Sequence, residues 1–263
     1  MLKHTLTALA LISLALIQPG SAQTTPSTVT PPTTVAVSEG QDLEIQSGGK
    51  AYKSYLAAPA ATTPATRRPA VILLHSFRGL EPGYRELVDE MAAAGYVTLA
   101  LGWQTFEPEP TDATVKTLVE DGLKALALRP DVNANAVGLT GFCAGGRYTM
   151  LLLPQIKAFK SGVAWYGFPD QGGTALKPQT PSALIGDLTT PMLIIHGTKD
   201  QASPVATIYS YAQKLDTANK SFKLSVYQGE PHGFLLAEGN IANTQASRDA
   251  RRDMLNYFGE TLR

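Results

Sequence analysis

The sequence predicts an α/β fold with a doubly wound, mostly parallel sheet flanked by helices. Two observations carry this prediction: short apolar runs alternate with longer segments of helical spacing, and the runs are apolar along most of their length. Such strands are buried on both faces, so helices must cover both sides of the sheet. The strands are expected at residues 70–76, 96–102, 136–141, 161–167, 191–197 and 222–228, and the helices near 82–94, 111–128, 145–157, 204–218 and 244–260.

An N-terminal β-hairpin is expected to precede this alternation. The stretches DLEIQ and AYKSYLA flank SGGK, in which Gly48 and Gly49 can supply the turn. From this hairpin to the C-terminus, residues 41–263, we expect a single domain.

The first 40 residues are expected to lie outside that domain. Residues 1–22 are typical of a signal peptide, with Lys3, an apolar run and small residues before a cleavage site. Residues 23–40 are rich in Thr and Pro, which favours a flexible linker. We therefore expect an exported protein, periplasmic or extracellular, with an uncleaved N-terminal anchor as the alternative.

Composition points to a small molecule as the partner. The 263 residues include 22 basic and 22 acidic side chains, and loss of Lys3 with the signal shifts the net charge only to −1. This balance, without a Lys/Arg cluster, argues against nucleic acid or an anionic membrane surface as the partner. The single cysteine cannot form an internal disulfide, so stability must come from the core. A monomer is favoured, although the sequence leaves the oligomeric state open.

That cysteine lies in GFCAGG, residues 141–146, between an expected strand and an expected helix. A sharp strand-to-helix turn holds its apex residue, here Cys143, in a strained conformation, and glycines at 141 and 145 leave room for neighbouring backbone. The helix N-terminus favours a thiolate at that position. Cys143 is therefore a candidate nucleophile, although GxCxG alone also fits a small buried hydrophobe.

A candidate base and a candidate acid follow in chain order. His232 in GEPHGF comes directly after the last expected strand and can accept the thiol proton. Asp200 in HGTKDQASP follows the preceding strand and can orient that imidazole. His196 is expected to pack beside the acid loop rather than act as the base, and Asp170 is the second candidate acid.

Other residues are expected around this site. The backbone N–H groups of Ala144 and of Ser76 or Phe77 are candidate donors to an oxyanion. His75, Trp103 and Tyr166 are candidates for the wall of a substrate pocket, although ordinary packing explains them equally well.

With GFCAGG, HGTKD and PHGF in this order, the chain resembles the dienelactone hydrolases, or carboxymethylenebutenolidases, of the α/β-hydrolase superfamily. The likeness runs from about residue 45 to 260. It implies an α/β-hydrolase fold and a triad of Cys143, His232 and Asp200. It also implies hydrolysis of an ester or lactone through a thioester, with no metal or organic cofactor.

Two features depart from the family pattern. The best-known members carry a glutamate after the first central strand, where this chain has LLHSFRG, and two carboxylate-binding arginines that LGWQTFEP and GFLLAEG lack. The dienelactone itself is therefore a doubtful substrate. Two other functions stay open: a binding protein on a hydrolase fold, and an exported redox-active thiol.

Overall fold

The structure is a computed structural model that describes Met1, residues 40–60 and residues 67–263. Apart from Met1 and Gly40, the expected signal peptide and linker lie outside the described residues. Among the helices that the structure describes, none is long and apolar enough to cross a membrane.

The apolar runs form one eight-stranded sheet. Its strands are β1 Gln41–Ser47, β2 Lys50–Ala57, β3 Arg68–Leu74, β4 Val97–Leu101, β5 Val132–Phe142, β6 Phe159–Trp165, β7 Met192–Gly197 and β8 Phe222–Tyr227. Their order across the sheet is β1-β2-β4-β3-β5-β6-β7-β8. The pairs β1–β2 and β2–β4 are antiparallel, and every other neighbouring pair is parallel. The predicted doubly wound, mostly parallel sheet is confirmed.

The expected hairpin at the N-terminal edge is formed by β1 and β2. Gly48 and Gly49 have φ angles of 54° and 76°, the left-handed region that a two-residue turn of this kind requires and that glycine adopts without strain. Ser47 pairs with Lys50 across the turn, which sets the register of both strands.

The described residues form five α-helices, of which the first four connect strands and the fifth follows the last strand. They are α1 Pro82–Ala93, α2 Asp112–Ala127, α3 Ala144–Leu152, α4 Val205–Thr217 and α5 Gln245–Thr261. Thr111 and Thr244 are the N-cap residues of α2 and α5. The hydroxyl of each accepts a hydrogen bond from the backbone N–H three residues later. Two further elements were not predicted: a 3-10 helix at Pro181–Asp187 and a small ribbon of β9 Leu236–Ala237 and β10 Asn240–Ile241.

The sheet divides the core into two apolar layers. Side chains of α2, α3 and α4 pack with Ile72 and Leu74 on one face, and those of α1 and α5 pack with Val71 and Leu73 on the other. Alternate residues of β3 therefore point to opposite layers, as the pleat of a strand requires. This double burial explains why β3 lacks the polar–apolar alternation of a strand with one wet face.

The strand order places a crevice between β3 and β5. The chain passes from β3 outward to β4 and then returns to β5 on the other side of β3. Connections that leave neighbouring parallel strands in opposite directions open a crevice at the carboxyl ends of those strands. Ser76 follows β3 and Cys143 follows β5, so both lie at this crevice.

The start of α3 packs against the end of β3 at backbone distance. A Cβ atom on Gly145 would lie 2.0 Å from the carbonyl oxygen of Leu74, and one on Gly141 would lie 2.1 Å from that of Gly145. Because both obstacles are backbone atoms, no side-chain rotation can relieve them. Only glycine fits at either position.

We expect Gly145→Ala to lower the free energy of unfolding by roughly 3 kcal/mol, since the strand and the helix must separate to admit the methyl group. Urea unfolding measures the loss. Gly186→Ala is the matched control, because a Cβ there meets no atom within 4 Å, and it should leave stability nearly unchanged. Equal stability of the two variants would contradict the proposed backbone contact.

Candidate active site

Cys143 is the apex of the turn between β5 and α3. Its φ and ψ angles are 57° and −113°, a conformation that costs a non-glycine residue on the order of 1–3 kcal/mol. The turn is held on both sides: the Cys143 N–H donates to the Trp165 carbonyl at 3.1 Å, and the Cys143 carbonyl accepts from the Arg147 N–H at 2.9 Å. The residue is buried, with 6% of its surface exposed, yet it lines a cavity. The structure therefore has the strained turn expected for a nucleophile.

Asp200 and His232 meet at the same edge of the sheet. Nδ1 of His232 lies 2.8 Å from Oδ2 of Asp200, and Oδ1 of Asp200 accepts the Ser203 N–H at 2.8 Å. Burial of the Asp200 carboxyl favours its neutral form, but the hydrogen bonds from His232 and Ser203 lower its pKa below the usual value. The carboxylate is thus ionised, so Nδ1 of His232 carries a proton and donates it to the bond.

The other ring nitrogen of His232 is left for chemistry in the cavity. Nε2 is buried and has no hydrogen-bond partner among the described residues. Burial lowers the pKa of His232, but the hydrogen bond to Asp200 and the interaction with the Cys143 sulfur outweigh it and raise the pKa to about 9. Cys143 and His232 also line the same cavity. The structure therefore brings the three predicted triad residues together.

His196 lies beside the same Asp200 carboxylate. Its Nε2 donates to the Ser203 carbonyl at 2.8 Å and lies 3.4 Å from Oδ2 of Asp200. Burial lowers the pKa of His196 and keeps the ring neutral. His196 is completely buried and does not reach the cavity lining, so it supports the acid loop rather than facing a substrate.

Two candidate oxyanion donors lie beside the sulfur. Ala144 is the first residue of α3, so its N–H has no acceptor within the helix. Ala144 and Phe77 both line the cavity that contains Cys143, and Ser76 lines its continuation. Their assignment as donors remains a prediction.

The cavity has two lobes that meet at Cys143. The aromatic lobe, of about 310 Å³, is lined by Trp103, Tyr148 and Phe168 among others. The polar lobe, of about 340 Å³, is lined by Ser76, Arg78, Glu81, Tyr84 and Tyr166 among others. The lobes share Phe77, Cys143 and His232. Both volumes are in the range of small-molecule sites.

The three predicted pocket residues occupy different places. Trp103 lines the aromatic lobe, and Tyr166 lines the polar lobe. His75 lies behind Trp103, with ring centroids 5.1 Å apart and an interplanar angle of 16°, and its carbonyl accepts the Trp103 indole N–H at 3.1 Å. Burial lowers the pKa of His75 to about 4. The neutral ring thus supports the cavity wall from behind.

Three polar side chains of the lobes, those of Glu81, Tyr84 and Lys177, were not predicted from the sequence. Glu81 and Tyr84 lie on the approach to α1 and in its first turn, beyond the LLHSFRG stretch in which a glutamate was sought. Lys177, in the wall of the aromatic lobe, belongs to a connection without regular structure. No spacing in the sequence marks these residues as neighbours of Cys143. The alternative acid, Asp170, is exposed and pairs with Lys214 at 3.5 Å.

Arg147 stabilises the aromatic lobe through a buried ion pair. Its guanidinium donates to both carboxylate oxygens of Asp112, at 2.7 and 3.0 Å, and to the carbonyls of Gln171 and Gln179. The side chain is 1% exposed. Because every one of these bonds is internal, Arg147 ties the start of α2 and the loop near residue 171 to α3.

We expect Arg147→Ala to lower the free energy of unfolding by roughly 3–5 kcal/mol, because Asp112 is left as a buried, unpaired charge. The control is Arg252→Ala in the exposed Arg252–Asp249 pair, which should change stability by less than about 1 kcal/mol. Chemical denaturation of both variants tests the difference. A loss of similar size in both would contradict a structural role for the buried pair.

The raised pKa of His232 makes stability depend on pH. The folded protein holds the His232 proton up to about pH 9, whereas the unfolded chain releases it near 6.5. The stabilisation is therefore complete below about pH 6.5 and is lost as pH rises to 9, by roughly 2–3 kcal/mol in total. Unfolding free energies measured across this range should fall more steeply for the wild type than for His232→Gln. Parallel curves would contradict a raised pKa.

The chain is similar in sequence to known hydrolases. Residues 102–262 match the model of the dienelactone hydrolase family. A Bradyrhizobium protein named "probable 2-oxo-3-(5-oxofuran-2-ylidene)propanoate lactonase" is 28% identical over 73% of this chain and 82% of its own length. A Salmonella typhimurium "putative carboxymethylenebutenolidase" is 28% identical over 82% of this chain and 85% of its own.

The solved structures agree in fold. The crystal structure of a "putative dienelactone hydrolase" from Klebsiella pneumoniae superposes with a TM-score of 0.78 and 25% identity, over 86% of this chain and 99% of that one. Esterase 2 of Thermogutta terrifontis, at 18% identity and a TM-score of 0.69, shares the fold over 84% of this chain and 94% of its own. With the family model matching more than half of its length, this chain belongs to the dienelactone hydrolase family and is a hydrolase of carboxylic esters or lactones.

Proposed function

We propose that the chain cleaves its ester or lactone through a covalent thioester on Cys143, with His232 as the acid–base group and Asp200 as its orienting partner. The observation that carries this proposal is the position of His232. One ring nitrogen is held by Asp200 at 2.8 Å, the other is buried, and the interaction of the ring with the Cys143 sulfur contributes to its raised pKa. An imidazole ring oriented by a carboxylate beside a strained nucleophile is the arrangement that acyl transfer requires.

In the first half of the reaction, the Cys143 sulfur attacks the carbonyl carbon and His232 Nε2 holds the thiol proton. The carbonyl oxygen becomes an oxyanion, for which the N–H groups of Ala144 and of Phe77 or Ser76 are the donors. The carbon–oxygen bond of the ester then breaks, and His232 gives its proton to the departing alkoxide. The acyl group remains on sulfur.

In the second half, water attacks the thioester. His232 takes a proton from the water, and the sulfur leaves as thiolate when the carboxylic acid is released. Asp200 stays ionised throughout, because its hydrogen bonds lower its pKa. It stabilises each imidazolium that forms without taking the proton itself.

The proposed setting for this reaction is outside the cytoplasm. The signal-like residues 1–22 and the Thr/Pro-rich residues 23–40 support export, since together they are typical of a cleaved signal followed by a tether.

The test combines kinetics with intact-mass measurement on an aryl ester. We expect Cys143→Ala to lower kcat/KM by at least roughly 1,000-fold, because no nucleophile remains. His232→Ala should lower it by at least about 100-fold through loss of acid–base catalysis. During turnover the wild type should gain the mass of the acyl group, and Cys143→Ala should not.

A matched pair of carboxylate variants controls for general charge effects. Asp200→Asn should slow hydrolysis markedly, whereas Asp170→Asn, at an exposed carboxylate, should not. Tight ligand binding without turnover would instead indicate a binding protein. Activity that survives His232→Ala but responds to peroxide would indicate a redox thiol. Either outcome would overturn the proposal.

A further inference from the structure

The loop after β6 contacts all three arms of the proposed triad. It begins with Tyr166, Gly167 and Phe168, which we call the bridging segment. The middle residue packs against the start of α3 and is bonded to the loop of the acid, and the outer two pack against the ring of the base. Three elements that are far apart in the sequence are thus joined by three neighbouring residues.

Gly167 makes the contacts to the helix of the nucleophile and to the loop of the acid. A Cβ atom on Gly167 would lie 2.8 Å from the backbone carbonyl carbon of Gly146, so the segment lies against the first turn of α3 at backbone distance. The Gly167 carbonyl accepts the Ser203 hydroxyl at 2.8 Å, and the Ser203 N–H donates to Asp200. The segment is therefore fixed relative to both elements.

Tyr166 and Phe168 make the contacts to the base. The centroid of the Tyr166 ring lies 5.1 Å from that of His232 at an interplanar angle of 64°, and the Phe168 centroid lies 5.4 Å away at 42°. The Tyr166 ring also packs against Phe234, two residues beyond His232, with centroids 5.7 Å apart. These separations are in the range of favourable aromatic pairs, so the segment holds both the base and its loop.

The loop of His232 does not fix the direction of the imidazole by itself. Residues 228–235 form turns rather than a helix or a strand. The bond from Nδ1 to Asp200 holds one point of the imidazole and leaves the ring able to tilt about that bond. Aromatic rings packed against the imidazole oppose this tilt, so they set the direction in which Nε2 points.

The backbone of Tyr166 indicates that its position is enforced. Its φ angle is 35°, in a region that is unfavourable for a residue with a bulky side chain. The residue is nonetheless 1% exposed, and its N–H donates to the Ile195 carbonyl at 2.8 Å. Such strain persists only where the surrounding structure fixes the residue. The hydroxyl is buried beside Tyr84, so the ring is the part of Tyr166 that meets the base.

We propose that the bridging segment holds the imidazole of His232 in line with the Cys143 sulfur, and that Tyr166 is its main positioning residue. Tyr166 acts through His232 and not on the substrate. This inference deepens the proposed function and rests on it, since it takes His232 as the acid–base group. It adds a residue outside the triad on which the rate of the chemical step depends.

The experiment is a double-mutant cycle on the full chain with the aryl ester. Tyr166→Leu removes the ring, and we expect it to lower kcat by roughly 10- to 100-fold, because a misdirected base costs that much in rate. KM should stay within about threefold of the wild type, because the lost interaction acts on the chemical step. In the His232→Ala background, the same substitution should change the residual kcat by less than about twofold, because no imidazole is left to position.

Two further variants separate positioning from packing. Tyr166→Phe keeps the ring and should restore kcat to within about threefold of the wild type. The matched control is Tyr96→Leu, since Tyr96 is 7% exposed, packs against Phe258 with centroids 6.1 Å apart and precedes β4, at the opposite end of the strands from the crevice. It should lower the melting temperature as Tyr166→Leu does while leaving kcat unchanged.

Phe168→Leu gives the same test if Tyr166→Leu does not fold. Phe168 is only half-buried, so its loss disturbs the core less, yet its ring also contacts the imidazole. It should lower kcat in the wild type and not in the His232→Ala background.

Three results would overturn the inference: an unchanged kcat in the ring-removing variants, a fall in kcat that is equally large in the His232→Ala background, or a Tyr166→Phe variant that does not restore the rate. Failure of the proposed function gives a different result, since His232→Ala alone would then keep the wild-type rate.

Discussion

The contact between the first residues of α3 and the end of β3 is the constraint on which the site depends. The backbone of Gly145 lies against the carbonyl oxygen of Leu74, closer than any side chain allows. This contact brings the helix N-terminus directly to the edge of the sheet and forces the chain into the positive φ angle of Cys143. Strain at that residue is maintained by tight packing around it, since the packing leaves the turn no other conformation.

Around this turn, charge is controlled by competition between burial and hydrogen bonding. Burial alone would favour the neutral forms of both Asp200 and His232. The hydrogen bond between them outweighs burial, so the pKa of Asp200 is lowered and the pKa of His232 is raised. His196 shows the other outcome. It lies beside the same carboxylate, but its bond to the Ser203 carbonyl does not outweigh burial, and its pKa is lowered. Two histidines at one carboxylate therefore carry different charges.

The sequence predicts the framework of this protein well, because long apolar runs and glycine-flanked turns are local signals. The six central strands and five helices lie close to their expected positions, and Gly48–Gly49 forms the expected hairpin turn. The meeting of Cys143, Asp200 and His232 was also predictable, since residues at the carboxyl ends of parallel strands share one edge.

The cavity walls were not predictable in the same way. Glu81 and Tyr84 line the polar lobe because of how α1 packs. Arg147 pairs with Asp112, which lies 35 residues earlier in the sequence. His75 was expected as a possible wall residue but lies behind Trp103, because a strand-end position fixes the location of a residue and not the direction of its ring. Such details depend on how helices pack, for which single residues carry no local signal.

Phe77 lies where the two lobes of the cavity meet. Its side chain is 63% exposed at the rim and borders both lobes, while its own backbone N–H is a candidate donor to the oxyanion. A ligand that extends into either lobe passes this ring, because Phe77 borders both. Because the ring is exposed, it can rotate about its own side-chain bonds while the backbone stays in place, so the entrance can adjust to ligands of different shape.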